Sequence, residues 1–96
     1  MEKKEILKRL QFFKEKNQQR YSIQKIGIFG SASKEKMTEK SDIDVVVELG
    51  YPDLFYLIGI KQDLEEIFHK PVDIIHYREN MNEFLKGRIK KEAIYV

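Results

Sequence analysis

Hydrophobic residues are spaced along this chain with two different periods, and each period predicts a different secondary structure. Apolar side chains recur every three to four residues in three long segments, which is the spacing of an amphipathic helix. Three shorter segments rich in isoleucine and valine, bounded by turn-forming or charged residues, predict strands. The predicted order is helix 3–20, strand 22–29, a short polar helical segment after Gly30-Ser31, strand 42–49, helix 52–70, strand 72–77 and helix 81–92.

Strands that alternate with helices predict an α/β (or α+β) layer structure, in which at least three strands form a sheet packed with helices. The pattern leaves the directions of the strands open. With 96 residues, the chain can build one hydrophobic core but not separate catalytic and substrate lobes. We therefore expect residues 1–96 to form a single domain.

Composition excludes several classes of protein. Hydrophobic residues make up 42% and charged residues 35% of the chain, a mixture typical of a folded domain rather than a disordered one. The formal net charge is only +2, so composition gives no support for direct nucleic-acid binding. The absence of cysteine excludes disulfides and thiolate metal sites and suggests a reducing cytoplasm. No apolar stretch approaches membrane-spanning length and no signal sequence opens the chain, so we expect a soluble intracellular protein without a membrane segment.

Two aspartates at the start of the second predicted strand pose a physical problem. Asp42 and Asp44 are two residues apart, so on a strand their side chains emerge on the same face, beside buried valines. Carboxylates this close repel each other, and the repulsion is relieved when one is protonated or when both meet a cation. We prefer a divalent metal ion at this pair over the alternative of two strand-edge residues facing water.

A Gly-Ser turn and a third aspartate extend this candidate site. Gly30-Ser31 is predicted to open a helix, whose unpaired amide groups and positive end would bind a phosphate. The Ser31 hydroxyl would cap that helix, contact the phosphate, or do both. Asp73 lies on another predicted strand, flanked by apolar residues. Three carboxylates beside a phosphate site suit Mg²⁺, and two such ions would activate a hydroxyl and stabilise a leaving oxygen.

These motifs resemble the signature of the DNA-polymerase-β-like nucleotidyltransferase superfamily: Gly30-Ser31, Ser41-Asp42-Ile43-Asp44-Val45 and Val72-Asp73-Ile74. The likeness is closest to the minimal nucleotidyltransferases, small antitoxins paired with HEPN-domain partners, and it extends to residues 90–96. The resemblance implies a small polymerase-β-like palm fold and transfer of AMP or another nucleotide from a triphosphate such as ATP. In some members the acceptor is a tyrosine of the cognate toxin.

The same resemblance implies roles for individual residues. Asp42 and Asp44 would bind two Mg²⁺ ions and the nucleoside triphosphate, Asp73 would complete the metal site around the attacking hydroxyl, and Gly30-Ser31 would hold the phosphates. The family commonly has an arginine and then a glycine where this chain has Lys34 and Glu35. Lys34 keeps a positive charge for the phosphates without the bidentate fork of arginine, or is simply a solvated lysine, whereas Glu35 adds a negative charge.

Three functions are compatible with these residues. The first is a Mg²⁺-dependent nucleotidyltransferase that modifies a hydroxyl of a HEPN-type toxin and so acts as its antitoxin. The second is an antitoxin with a weakened site that neutralises its partner by binding alone. The third is a small-molecule nucleotidyltransferase of the aminoglycoside-modifying kind, which is disfavoured because 96 residues leave little room for a substrate lobe. A fold alone does not choose among these functions.

The other polar residues that attract notice have structural interpretations. Ser41 is expected in a turn that positions the second strand. His69 and His76 lack metal-ligand spacing and are interpreted as structural or surface residues. Glu48 would share the face of Asp42 and Asp44, farther along the strand, and is expected to be exposed.

The predicted helix 52–70, with Pro52 at its first position, has more apolar residues than one core face needs. A rotation of about 100° per residue places Phe55 and Ile58 outside the core stripe, beside polar residues. They are either covered by the first or last helix or form a docking surface, for self-association or for a toxin partner. The residues of the core stripe itself are Leu57, Ile60, Leu64, Ile67 and Phe68.

Overall fold

The structure of the chain, a computed structural model, describes residues 1–34 and 42–96. Three helices and four strands lie within these two ranges. None of these helices is long and apolar enough to cross a membrane. In chain order the elements are α1 (Lys3–Asn17), β1 (Ile23–Phe29), β2 (Ile43–Leu49), α2 (Leu54–Phe68), β3 (Val72–His76), α3 (Glu83–Glu92) and β4 (Ile94–Tyr95).

The four strands form one mixed sheet in the order β3-β2-β1-β4. β1 is antiparallel to both of its neighbours, β2 and β4, whereas β2 and β3 are parallel. Parallel strands need a long crossover, and α2 provides it between β2 and β3. The sheet and its packed helices confirm the predicted α/β architecture and supply the strand directions that the sequence pattern left open.

Both faces of the sheet are covered, which explains why β2 is an almost continuous apolar run. Side chains alternate between the two faces along a strand. On one face, Val45 packs with residues of α1 and α2 in the main core. On the other face, Val46 packs with Phe29 of β1 and Ile89 of α3. Asp44 is two residues from Val46 and therefore lies on the face that α3 covers in part.

The ends of two helices differ from the predictions for identifiable reasons. α1 ends at Asn17 rather than at residue 20, because the chain turns and the Ile23 amide donates to the Gln18 carbonyl at 2.9 Å. α2 begins after Asp53, whose carboxylate accepts a hydrogen bond from the Phe55 amide at 2.8 Å. Pro52 therefore precedes the helix and does not occupy its first position.

The strand β4 was not expected from the sequence, since two residues are too few to show a period. Its backbone pairs with β1, with Tyr95 opposite Gly27 and Ile94 opposite Ile28. A Cβ atom at position 27 would collide with the backbone of Ile94, so the glycine is what allows β4 to lie this close. The last residues of the chain thereby complete the sheet beside β1.

The outer face of α2 carries three exposed apolar side chains, here called the α2 patch: Leu54, Phe55 and Ile58. Phe55 is 79% exposed and Ile58 is 42% exposed, so neither α1 nor α3 covers them. The predicted core stripe is confirmed, with Ile60, Leu64 and Phe68 buried and Leu57 and Ile67 packed against the core.

Candidate active site

Four of the predicted site residues lie at one corner of the sheet: Gly30, Asp42, Asp44 and Asp73. Asp42 immediately precedes β2, and Asp44 and Asp73 lie directly opposite each other in the parallel pair β2 and β3. Asp44 is also opposite Phe29, the last residue of the antiparallel strand β1, so Gly30 follows at the same corner. Because β2 and β3 start where β1 ends, three segments that are distant in the sequence bring their polar residues together.

Gly30 is required at this corner for two physical reasons. Its φ is +67°, in the left-handed region that residues with a Cβ atom rarely adopt. A Cβ atom on Gly30 would also lie 2.5 Å from Oδ2 of Asp44. The missing side chain therefore lets the backbone turn run directly against the Asp44 carboxylate.

The segment after Gly30 forms turns rather than the expected helix over residues 31–34. The Ser33 amide donates to the Gly30 carbonyl at 3.2 Å, and the Lys34 amide donates to the Ser31 carbonyl at 3.3 Å. The Ser33 hydroxyl also donates to the Gly30 carbonyl at 2.9 Å, a local bond that competes with helix formation. Ser31 is half-buried in this turn. Glu35 and Ser41, both named in the sequence analysis, lie outside the described residues.

The pKa of Asp44 is shifted in the direction expected from repulsion between neighbouring carboxylates. Burial of its half-buried carboxyl raises its pKa above 3.8, and the negative charges of Asp73 and Asp42 raise it further. The carboxyl groups of Asp44 and Asp73 lie within hydrogen-bonding reach of each other. Arg88 acts in the opposite direction and lowers the pKa of Asp44. A proton or a cation at this pair would relieve the repulsion.

The donor set at this corner fits Mg²⁺ by its chemistry. Asp42, Asp44 and Asp73 offer only carboxylate oxygens, the ligands that Mg²⁺ prefers. The Gly30 backbone leaves space beside Asp44 that any side chain would fill. Within residues 1–34 and 42–96, no three acidic, histidine or cysteine side chains are already gathered as a metal site. A site completed by all three aspartates stays a prediction.

Lys34 and a residue that the sequence analysis missed, Arg88, are both paired with Glu92 of α3. Lys34 forms an ion pair with Glu92, and Nε of Arg88 lies 3.3 Å from Glu92 Oε2. Only 10% of the Glu92 side chain is exposed, and the hydrogen bond from Lys34 is the main cause that lowers its pKa. In the sequence, Arg88 and Glu92 resemble an ordinary surface pair on one helix face. Only the packing of α3 on the sheet places Arg88 near Asp44.

The residues assigned a structural role do not join this corner. His69 is the exposed C-cap of α2 with a φ of 54°, and His76 is a half-buried residue whose pKa is lowered mainly by burial. Glu48 is half-buried rather than exposed, which corrects the expectation. It lines a cavity with Lys25 and Tyr95 at the other end of the α3 face.

The sequence matches a family model and several named proteins. Residues 11–96 match the family model described as polymerase beta, nucleotidyltransferase. A protein of Methanocaldococcus jannaschii named as a protein adenylyltransferase is 37% identical over 78 residues, which cover 80% of this chain and 83% of the relative. The protein adenylyltransferase MntA of Thermococcus cleftensis is 27% identical over 84 residues, covering 86% and 84% of the two chains.

Solved structures share the fold. A structure described as a minimal nucleotidyltransferase superposes with a TM-score of 0.75 at 24% identity and covers 98% of this chain and 95% of its own. A chain of a toxin–antitoxin crystal structure with AMP-PNP superposes with a TM-score of 0.70 at 23% identity, covering 83% of this chain, which spans only 66% of the other. A complex of a tri-AMPylated HEPN toxin of Shewanella oneidensis with an MNT antitoxin gives 0.58 at 21% identity, covering 88% and 70%. From the family match and the M. jannaschii relative, this chain belongs to the polymerase beta nucleotidyltransferase family and is a nucleotidyltransferase.

Proposed function

We propose that this chain is a Mg²⁺-dependent protein adenylyltransferase that transfers AMP from ATP to a hydroxyl of a HEPN-type toxin and thereby acts as its antitoxin in the cytoplasm. The observation that carries the proposal is the Asp44–Asp73 pair packed against the Gly30 turn. It supports the proposal because a backbone turn without a side chain at Gly30 lies against Asp44, whose repulsion with the neighbouring carboxylates a cation would relieve. The names of the relatives and the toxin–antitoxin complexes among the structures of the same fold support it.

Each residue of the corner has a role in this reaction. Asp42, Asp44 and Asp73 would hold Mg²⁺, which supplies positive charge to the phosphates when bound. The Gly30-Ser31 turn and Lys34 orient the triphosphate so that its α-phosphorus faces the acceptor. Asp73 is the exposed member of the close pair and accepts the proton of the acceptor hydroxyl. The hydroxyl oxygen bonds to the α-phosphorus, the bond to the β-phosphate breaks, and pyrophosphate leaves.

The position of a radiolabel tests the reaction type. Incubation with Mg²⁺, a HEPN-type partner and ATP labelled at the α-phosphate should label the partner, whereas ATP labelled at the γ-phosphate should not. Asp73→Asn is a control that should remove the label while the protein stays folded. Transfer of the γ-label would instead show a kinase and would overturn the proposal.

The second candidate, neutralisation by binding alone, is favoured by one observation. Lys34, the lysine placed where the family has arginine, already has a carboxylate partner in Glu92. If nucleotide does not displace Glu92, the site is too weak for transfer. A tight complex with the partner that carries no label from either form of ATP would support this candidate.

We further propose that the α2 patch binds a second copy of this chain. The patch begins five residues after β2 ends, at the end of β2 opposite Asp44. Five residues from Asp44 to Leu49 span about 17 Å, so the patch lies apart from the carboxylates. A second copy can therefore cover the patch and leave the site open to an acceptor. The alternative is that a toxin partner binds this surface, and substitution of Phe55 or Ile58 by aspartate distinguishes the two.

A further inference from the structure

A cavity of about 510 Å³ opens between the Gly30–Lys34 turn and the end of α3. Lys34, Arg88 and Lys91 line it together with a single carboxylate, Glu92. Its described lining therefore carries a surplus of two positive charges. This surplus attracts a polyanion to the cavity, whereas the carboxylates of the neighbouring aspartate corner repel one unless a cation is bound there.

Glu92 holds two of these cations at the same time. Its two carboxylate oxygens face different partners, Oε1 toward Lys34 of the turn and Oε2 toward Arg88 of α3. Lys34 and Arg88 are each about half exposed, at 50% and 48%, whereas Glu92 is 10% exposed. The cations can therefore reach a ligand in the cavity, while the carboxylate between them is the part withdrawn from water.

The geometry points to Glu92 as a resident anion that the β- and γ-phosphates of the nucleotide displace from this cavity, and to Arg88 as a phosphate-binding residue outside the motifs of the family. The inference rests on the proposed adenylyl transfer, because that reaction expels these two phosphates as pyrophosphate. A phosphate tail carries more negative charge than one carboxylate, and Arg88 can contact it through two parallel hydrogen bonds. The proximity of Arg88 to Asp44 joins the cavity to the site of transfer.

Binding measurements on four proteins test this assignment. Three probes are titrated calorimetrically in the presence of Mg²⁺: α,β-methylene-ATP, pyrophosphate and AMP. The first is an ATP analogue that cannot transfer its AMP group. Arg88→Gln should weaken binding of the first two about tenfold and leave AMP unchanged, since one charge-assisted contact is lost. Glu92→Gln should strengthen binding of both, because it removes the competing anion. Lys90→Gln, an equal loss of charge on the same helix, should match the wild type.

The outcomes separate this inference from the proposed function. If the wild type binds pyrophosphate but no nucleotide, adenylyl transfer is wrong and the anion site stands. If the wild type binds nucleotide but Arg88→Gln binds it equally well, or Glu92→Gln binds it less well, the assignment of the cavity is wrong. If the wild type binds neither pyrophosphate nor the nucleotide analogue, both the proposed function and this inference are wrong. If Glu92 is purely structural, Glu92→Gln should lower both the melting temperature and the affinity for the two phosphate probes. If phosphates displace Glu92, the same variant should have a lower melting temperature and a higher affinity.

Discussion

Gly30→Ala is the substitution whose effect follows most directly from the geometry of the site. A left-handed φ of +67° costs an L-residue about 1–2 kcal/mol. The new Cβ atom would lie 2.5 Å from Asp44 Oδ2, and displacing that half-buried carboxyl adds about 1 kcal/mol. Alanine also restricts the unfolded chain more than glycine does, which offsets about 0.5 kcal/mol of this loss. The expected net loss is about 2 kcal/mol, which for a domain of this size lowers the melting temperature by roughly 8–16 °C.

Gly87→Ala is the matched control for this change. Gly87 lies inside α3, and a Cβ atom there would meet nothing within 4 Å. Alanine is a better helix former than glycine, so this variant should gain about 0.5–1 kcal/mol. The same substitution is therefore expected to change stability in opposite directions at the two positions.

Thermal unfolding followed by circular dichroism, with and without Mg²⁺ and ATP, measures both effects. Gly30→Ala should also reduce the rise in melting temperature caused by the ligands, because the Asp44 carboxyl can no longer occupy its position beside the turn. A Gly30→Ala protein as stable as the wild type, with an undiminished ligand effect, would refute the close approach of the turn to Asp44.

The remaining predictions concern the carboxylates, the α2 patch and a helix cap. Asp42→Asn combined with Asp44→Asn should abolish the rise in melting temperature caused by Mg²⁺ with ATP and leave the ligand-free value unchanged or higher, since repulsion is relieved; a retained ligand effect would place the site elsewhere. Because the folded pKa of Asp44 is raised above 3.8, its contribution to stability should be lost as the pH rises from about 3.8 through that folded value, so the melting temperature of the wild type should fall relative to that of Asp44→Asn over this range of a pH series. Phe55→Asp or Ile58→Asp should convert the assembly to monomers in size-exclusion chromatography with light scattering, while the circular dichroism spectrum is retained. Unfolding of either variant would mean that the substituted side chain belongs to the core. If the wild type is already monomeric and the variants lose toxin binding, the patch binds the toxin instead. Asn82→Ala removes the side chain that caps the Leu85 amide at 3.0 Å and should cost about 1 kcal/mol in chemical denaturation, whereas Asn82→Asp, which keeps a capping oxygen, should not.

Local periodicity was enough to predict the three helices and the three longer strands. Burial on one or both faces imposes a spacing on apolar residues that is visible in the sequence. The same argument separated the core stripe of α2 from Phe55 and Ile58, which the structure shows exposed. It missed β4, because the conformation of Ile94 and Tyr95 depends on hydrogen bonds to β1 rather than on any local pattern.

The sequence alone also determined which residue types could build the site. Paired aspartates beside buried valines, and a glycine where a strand ends, are unusual enough locally to indicate chemistry. Whether Asp44 faces Asp73 was decided only by the parallel pairing of β2 with β3, and the contact with Gly30 only by the antiparallel pairing with β1. The positions of Arg88 and Glu92 were decided by the packing of α3 on that face, because contacts between residues distant in the sequence depend on strand direction and helix placement, which no local spacing records.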